Sequence, residues 1–174
     1  MPSITARAVT PDAATTSAAT GARPAVGGWL QFFLIGLVIS IVRSAMSLFT
    51  DFVPLFSEGA WANLTTPDSP AYHALWAPLI GFEMASTVVL ALAAWGVALL
   101  IVKRLPQAPK FAIGLLLLTL VVQLIDFALL QQIESVRETA MAQTLPAIAV
   151  ATLTSALWIP YFLRSKRVKA TFAR

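Results

Sequence analysis

The chain contains no cysteine and only one histidine, His73, among its 174 residues. The absence of cysteine excludes disulfides, thiolate metal sites, iron–sulfur clusters and cysteine nucleophiles. A single imidazole excludes the zinc and haem sites that need several histidines from one chain. We therefore expect neither a metal nor a cofactor to be bound.

Charged residues are also scarce, whereas apolar residues are abundant. Asp, Glu, Lys and Arg make up 11% of the chain, against about 25% in soluble domains, and apolar residues make up 58%, against about 45–50%. This composition is typical of a membrane protein. The sequence has no nucleophile elbow, phosphate-binding loop or zinc-protease helix motif, so it gives no reason to expect an enzyme.

Four apolar runs have the length of about 20 residues that an α-helix needs to cross the hydrocarbon core of a membrane. Because lipid offers no partners for backbone N–H and C=O groups, continuous helices are expected there. The fold is therefore predicted to be all-α, a polytopic membrane protein with an antiparallel four-helix transmembrane bundle. The predicted spans are residues 29–49, 79–102, 111–130 and 145–163.

The remaining segments are predicted from their composition. Residues 1–26 are rich in Ala, Thr, Ser and Pro without an apolar run, so we expect a disordered cytoplasmic tail. The transmembrane domain is predicted to cover residues 27–172. Residues 50–78 within it are expected to form the outer loop. Residues 164–174 are expected to form a basic cytoplasmic tail.

The basic residues predict the orientation, because cytoplasmic segments of membrane proteins retain more Lys and Arg. Ten of the twelve lie before the first span, between the second and third spans, or after the fourth: Arg7, Arg23, Lys103, Arg104, Lys110, Arg164, Lys166, Arg167, Lys169 and Arg174. We therefore expect both termini in the cytoplasm and the basic tail against anionic lipid. Nucleic-acid binding is not expected, because the positive charge is divided among three segments.

Three of the four spans carry charged side chains, which are costly in lipid and tend to be paired or functional. Arg43, Glu83 and Asp126 are predicted to lie about 21–28 Å from the cytoplasmic ends of their spans, in the outer half of the membrane. On a helical wheel, Gln123 shares a face with Asp126. We expect Arg43 to pair with Asp126 and Glu83 to lie nearby, in one polar cluster within the bundle.

Three interpretations of this cluster stay open. The ion pair could fix the packing of the helices and have no other role. The cluster could be a site for a small ligand, an ion or a proton. Alternatively, Arg43 and Glu83 could extend to the outer interface without pairing.

Small residues recur at every fourth position of the first and fourth spans, a spacing that allows two helices to approach closely. These seams are predicted either to pack within the bundle or to form a dimer interface or a docking face for another membrane protein. They comprise Gly36, Ser40, Ser44, Ala147, Ala151 and Ser155.

Two short motifs at the cytoplasmic ends of the first and fourth spans resemble a known family. Their residues are Gly27, Gly28, Trp29, Trp158, Pro160, Tyr161, Ser165, Arg167 and Val168. They are similar to motifs of a bacterial family of four-span inner-membrane proteins catalogued as domain of unknown function 2569. The resemblance covers residues 27–172 and implies four helices in a bacterial plasma membrane, without an assigned activity.

The function expected from the sequence is that of an integral inner-membrane protein acting as a non-catalytic accessory or interaction subunit. Its partners would be membrane lipid and other membrane proteins or copies of itself. This expectation depends on the small-residue seams, the absence of cofactor ligands and the lack of a sizeable soluble domain. The alternative is a small transporter, or a bundle that binds a ligand or a lipid, in which Arg43, Glu83 and Asp126 line a polar pocket.

Overall fold

A computed structural model describes residues 28–172; Gly27 and the predicted N-terminal tail lie outside this part of the chain. Helices account for 85% of the described residues, and no strand occurs among them. The α-helices are α1 (Trp29–Ser47), α2 (Val53–Ser57), α3 (Ala60–Thr65), α4 (Trp76–Val102), α5 (Ala108–Leu130), α6 (Arg137–Arg164) and α7 (Lys166–Phe172). A π-helical segment, Leu48–Phe52, joins α1 to α2, and a 3₁₀ turn, Glu134–Val136, precedes α6.

Four of these helical stretches are long and apolar enough to cross a membrane. They are Trp29–Ser57, Trp76–Val102, Ala108–Leu130 and Glu134–Arg164. The prediction of an all-α polytopic bundle with four spans is therefore confirmed. All four stretches extend past the predicted spans by at least three residues, because the residues that flank each apolar run continue the helix.

The helices pack in the order in which they occur along the chain. α4 packs against α1 and α5, and α5 packs against α6. The first and last spans meet through aromatic rings: the centroid of Phe33 lies 4.9 Å from those of both Trp158 and Phe162. The rings of Trp29 and Trp158 are 6.4 Å apart in an edge-on arrangement that aromatic pairs favour.

The buried core is concentrated at one end of the bundle. We call this the basic end, because Lys103, Lys110 and α7 lie there, and we call the opposite end, which carries residues 48–75, the loop end. The largest cluster of buried apolar side chains belongs to the basic end and consists of Leu30, Phe33, Leu37, Ala94, Val97, Ile101, Ala108, Ala112, Leu115, Leu116, Phe162, Val168 and Phe172. The helices are therefore most closely packed at the basic end.

The C-terminal segment, predicted as a basic tail, forms the amphipathic helix α7. Ser165 precedes α7, and its Oγ accepts a hydrogen bond of 3.4 Å from the backbone N–H of Val168. Val168, Thr171 and Phe172 are buried, whereas the basic side chains of α7 are exposed. One face of α7 thus completes the core, and the other carries positive charge.

Replacement of Phe162 with alanine is expected to destabilise the bundle. Phe162 is 3% exposed and contacts Phe33 and Trp158. Phe162→Ala should lower the free energy of unfolding by about 3 kcal/mol, because the cavity it leaves removes packing contacts between α1 and α6. Phe49→Ala is the matched control, because Phe49 is 72% exposed. Thermal unfolding in detergent measures the stability of both variants. Equal losses of stability in Phe162→Ala and Phe49→Ala would contradict a core at the basic end.

Candidate functional site

A cavity of about 470 Å³ opens between the helices at the loop end. Its walls come from the segment that continues α1, from α3, and from the first half of α4 and second half of α5. Its polar lining residues are Ser47, Asp51, Trp76, Glu83, Ser86, Thr87, Gln123 and Asp126. Three of them carry carboxyl groups, and no basic side chain lines the cavity within residues 28–172.

Glu83 on α4 and Asp126 on α5 line the same cavity. Their carboxyl groups lie within hydrogen-bonding reach of each other. Both side chains are partly buried, and Oδ1 of Asp126 is fully buried without a hydrogen-bond partner in the described part of the chain. A buried polar atom without a partner is costly, and the adjoining cavity leaves room for a ligand to satisfy it.

Asp51 supplies the third carboxyl group, from the π-helical segment. The hydroxyl groups of Ser47 and Thr50 both donate hydrogen bonds to it, Thr50 at 2.8 Å. Segments of π-helix are rare and occur frequently at functional sites, because the extra residue in the turn changes the direction of a side chain. Here the π-helical segment places Asp51 at the cavity.

Two further lining residues, Trp76 and Ser86, differ in whether their hydrogen-bond donors already have an acceptor. Nε1 of Trp76 is buried and has no acceptor among the described residues. Ser86 donates a 3.0 Å hydrogen bond to the backbone carbonyl of Glu83, so its hydroxyl hydrogen is already used. Trp76 therefore offers an unused donor at the same cavity as the unused acceptor of Asp126.

The predicted polar cluster is formed without Arg43. Glu83, Gln123 and Asp126 line one cavity, as expected, but Arg43 is exposed on α1 and is not part of the lining. The predicted pair of Arg43 with Asp126 is therefore wrong. The helical wheel placed Arg43 on the face of α1 that also carries Gly36 and Ser40, and this face points away from the other helices.

The two small-residue seams have different environments. On α1, Gly36 and Ser40 are exposed, Ser44 is partly buried, and a Cβ added to Gly36 would meet no atom within 4 Å. Packing within the bundle is therefore not the role of this part of the seam. On α6, Ala147 and Ala151 are partly buried and Ser155 is buried, along a helix that packs against α5.

The two sequence motifs meet at the basic end. Gly28 precedes α1 with φ 64° and ψ −139°, a conformation essentially restricted to glycine. A Cβ on Gly28 would lie 2.7 Å from Nη1 of Arg167, the basic residue next to Val168 in α7. Trp158, Pro160 and Tyr161 lie in the last turns of α6, beside this junction, whereas Gly27 is outside the described residues.

A comparison with protein families matches most of the chain. The family model described as a protein of unknown function, DUF2569, matches residues 23–173, nearly the whole chain. The chain belongs to this family. No curated protein and no solved structure shows significant similarity to it.

The structure of this DUF2569 protein adds two site residues that sequence reasoning missed. The apolar runs end at residue 49 and begin again at residue 79, so both Asp51 and Trp76 fall in the predicted outer loop. The apolar residues Phe52, Val53 and Leu55 were a signal that the first helix continues. No signal in the sequence indicates the π-helical turn that directs Asp51 to the cavity.

Alanine at Gly28 is expected to destabilise this family junction. Gly28→Ala should cost about 1–3 kcal/mol, because an L-residue is strained at this φ and ψ. Gly36→Ala is the matched control on the same helix, where a Cβ meets open space and alanine favours the helix. Thermal unfolding in detergent compares the two. A loss of stability in Gly36→Ala as large as that in Gly28→Ala would show that backbone strain is not the cause.

Proposed function

We propose that this protein binds a small organic cation in the carboxyl-lined cavity and releases a proton as it does so. The observation that carries the proposal is the lining of the cavity: Asp51, Glu83 and Asp126 provide carboxyl groups, and none of the described lining residues is basic. The cation would supply the positive charge that Arg43 does not provide. Oδ1 of Asp126 and Nε1 of Trp76 supply an acceptor and a donor for its polar atoms.

Electrostatics and aromatic side chains favour an organic cation as the ligand. Carboxylates attract a positive charge more strongly between helices than in water, because the effective dielectric constant is lower there. Phe52 and Trp76 line the same cavity, and aromatic faces attract quaternary and protonated amines. The volume of about 470 Å³ lies within the range of small-molecule sites.

The proximity of Glu83 and Asp126 supports the release of a proton. Two carboxyl groups within hydrogen-bonding reach cannot both be ionised at low cost, so one proton is shared between them in the empty cavity. A bound cation replaces the charge of that proton. The proton then leaves for the water at the loop end, and both carboxylates face the cation.

We propose further that the protein lies in a bacterial inner membrane with both termini in the cytoplasm. The basic residues at one end of the bundle support this orientation under the positive-inside rule. The resemblance of the family motifs to bacterial inner-membrane proteins supports the choice of membrane. In this orientation the cavity opens on the periplasmic side.

The linkage between cation and proton gives a direct test with tetramethylammonium as the probe. The fluorescence of Trp76 reports binding. Because the chain has five tryptophans, the part of the fluorescence change that Trp76→Phe removes is assigned to Trp76. We expect the apparent affinity to weaken by up to about tenfold for each unit of decrease in pH, because one proton competes with one cation. In weakly buffered solution, binding should release about one proton per protein.

Substitutions of the carboxyl groups test which residues are responsible. Glu83→Gln and Asp126→Asn should each weaken tetramethylammonium binding by at least about tenfold and abolish the proton release. Glu58→Gln and Asp68→Asn remove exposed carboxyl groups that do not line the cavity, and they should bind normally. Binding that is independent of pH would overturn the proposal. So would an equal loss of affinity in the cavity variants, at Glu83 and Asp126, and in the exposed controls, at Glu58 and Asp68. Circular dichroism and size-exclusion elution check that each variant is folded.

A second function, that of an interaction subunit, is favoured by the exposed face of α1. Gly36, Ser40 and Arg43 lie on this face, where small residues allow the close approach of another transmembrane helix and Arg43 offers a charge to pair. A benzophenone attached to the single cysteine of Ser40→Cys should crosslink to a protein partner in native membranes. Ser155→Cys is the buried control. Crosslinks to lipid alone would argue against this function.

A further inference from the structure

A second and larger cavity, of about 800 Å³, is a groove between α4 and α5 at the basic end. Its lining is almost entirely apolar and includes Leu99, Leu118 and Phe111. Its only charged lining residues are two lysines, Lys103 and Lys110. This groove is separate from the carboxyl-lined cavity, with which it shares no lining residue.

The two lysines lie together at the mouth of the groove. Lys103 follows the last residue of α4, and Lys110 is in the first turn of α5, so both are at the short connection between the two spans. Both side chains are exposed, and no acidic residue lines the groove among the described residues. The groove therefore has an apolar length and a positively charged mouth.

The length of the groove matches one leaflet of a bilayer. Lining residues on α4 extend from Lys103 to Ala93, a distance along the helix of about 15 Å. Half of a hydrocarbon core about 30 Å thick has the same depth. Because both lysines lie at the short connection between two candidate membrane spans, we place them at the level of the lipid headgroups.

Two glycines keep the groove open. Gly96 on α4 and Gly114 on α5 both line it, and a Cβ added to either would meet no atom within 4 Å. The space above each glycine belongs to the groove and not to a neighbouring side chain. Larger side chains at these positions would occupy the groove without displacing the core beneath it.

We infer that this groove binds an anionic phospholipid, with an acyl chain along Gly96 and Gly114 and the phosphate between Lys103 and Lys110. The apolar length accommodates the chain, and the two lysines complement the negative headgroup. Basic sites between transmembrane helices at the membrane surface are suited to such headgroups. A neutral phospholipid would fill the same groove but would gain less from the lysines.

Native mass spectrometry of the full chain, released from nanodiscs that contain equal amounts of phosphatidylglycerol and phosphatidylcholine, tests this inference. The wild-type protein should retain phosphatidylglycerol preferentially. Lys103→Gln combined with Lys110→Gln should reduce this preference by roughly 25-fold, since each lysine near the membrane surface contributes a factor of about five. Lys166→Gln combined with Lys169→Gln is the control, with the same change of charge on α7.

Gly114→Leu tests the acyl chain separately, because its side chain would fill the groove and should lower the retention of both lipids. The wild-type protein offers a test that needs no variant: glycerol phosphate, which has the headgroup chemistry without a chain, should not displace the lipid. The inference is overturned if the wild type retains both lipids equally, if the α7 control loses the preference as well, or if glycerol phosphate displaces the lipid. Full retention by folded Gly114→Leu would also overturn it.

Discussion

The contact of Phe33 with Trp158 and Phe162 is the interaction on which the rest of the bundle depends. The other packed pairs, α1 with α4, α4 with α5 and α5 with α6, are successive spans of the chain, and short connections join α4 to α5 and α5 to α6. The aromatic contact joins the first span to the last. Below it, α7 adds Val168 and Phe172 to the same core, and the two motifs described from the sequence lie at this junction. The motifs therefore mark where the bundle is closed, which is a structural role.

Closure at the basic end explains why the groove there is apolar, whereas the cavity at the loop end is lined by polar and acidic residues. At the basic end, the helices bury apolar residues between them, so the groove between α4 and α5 lies on the lipid-facing side of a packed core. At the loop end, fewer large side chains fill the centre, and polar residues occupy it. The three carboxyl groups lie in the cavity that this looser packing leaves. The distribution of packing thus determines where charge can be placed in this bundle.

The fold was predictable from the sequence because it depends on quantities that the sequence contains, namely the length and apolarity of each run. The meeting of Glu83, Gln123 and Asp126 was predictable for a similar reason, since helical periodicity places them on inward faces. The position of Arg43 was not, because periodicity shows which residues share a face of α1 but not which face meets α4. Asp51 depends on a π-helical turn, which arises from tertiary packing and has no pattern of its own.

Leu90 belongs to both halves of the molecule: it lines the carboxyl-lined cavity and packs against the core of the basic end. The cavity therefore has a floor, made of the side chains that close the bundle. Under the proposed function, a cation that enters from the loop end meets this floor as long as the core stays packed. Occupancy of the cavity then follows the concentration on one side of the membrane. Under the proposed function, passage of the cation across the membrane would require the aromatic contact between the first and last spans to open.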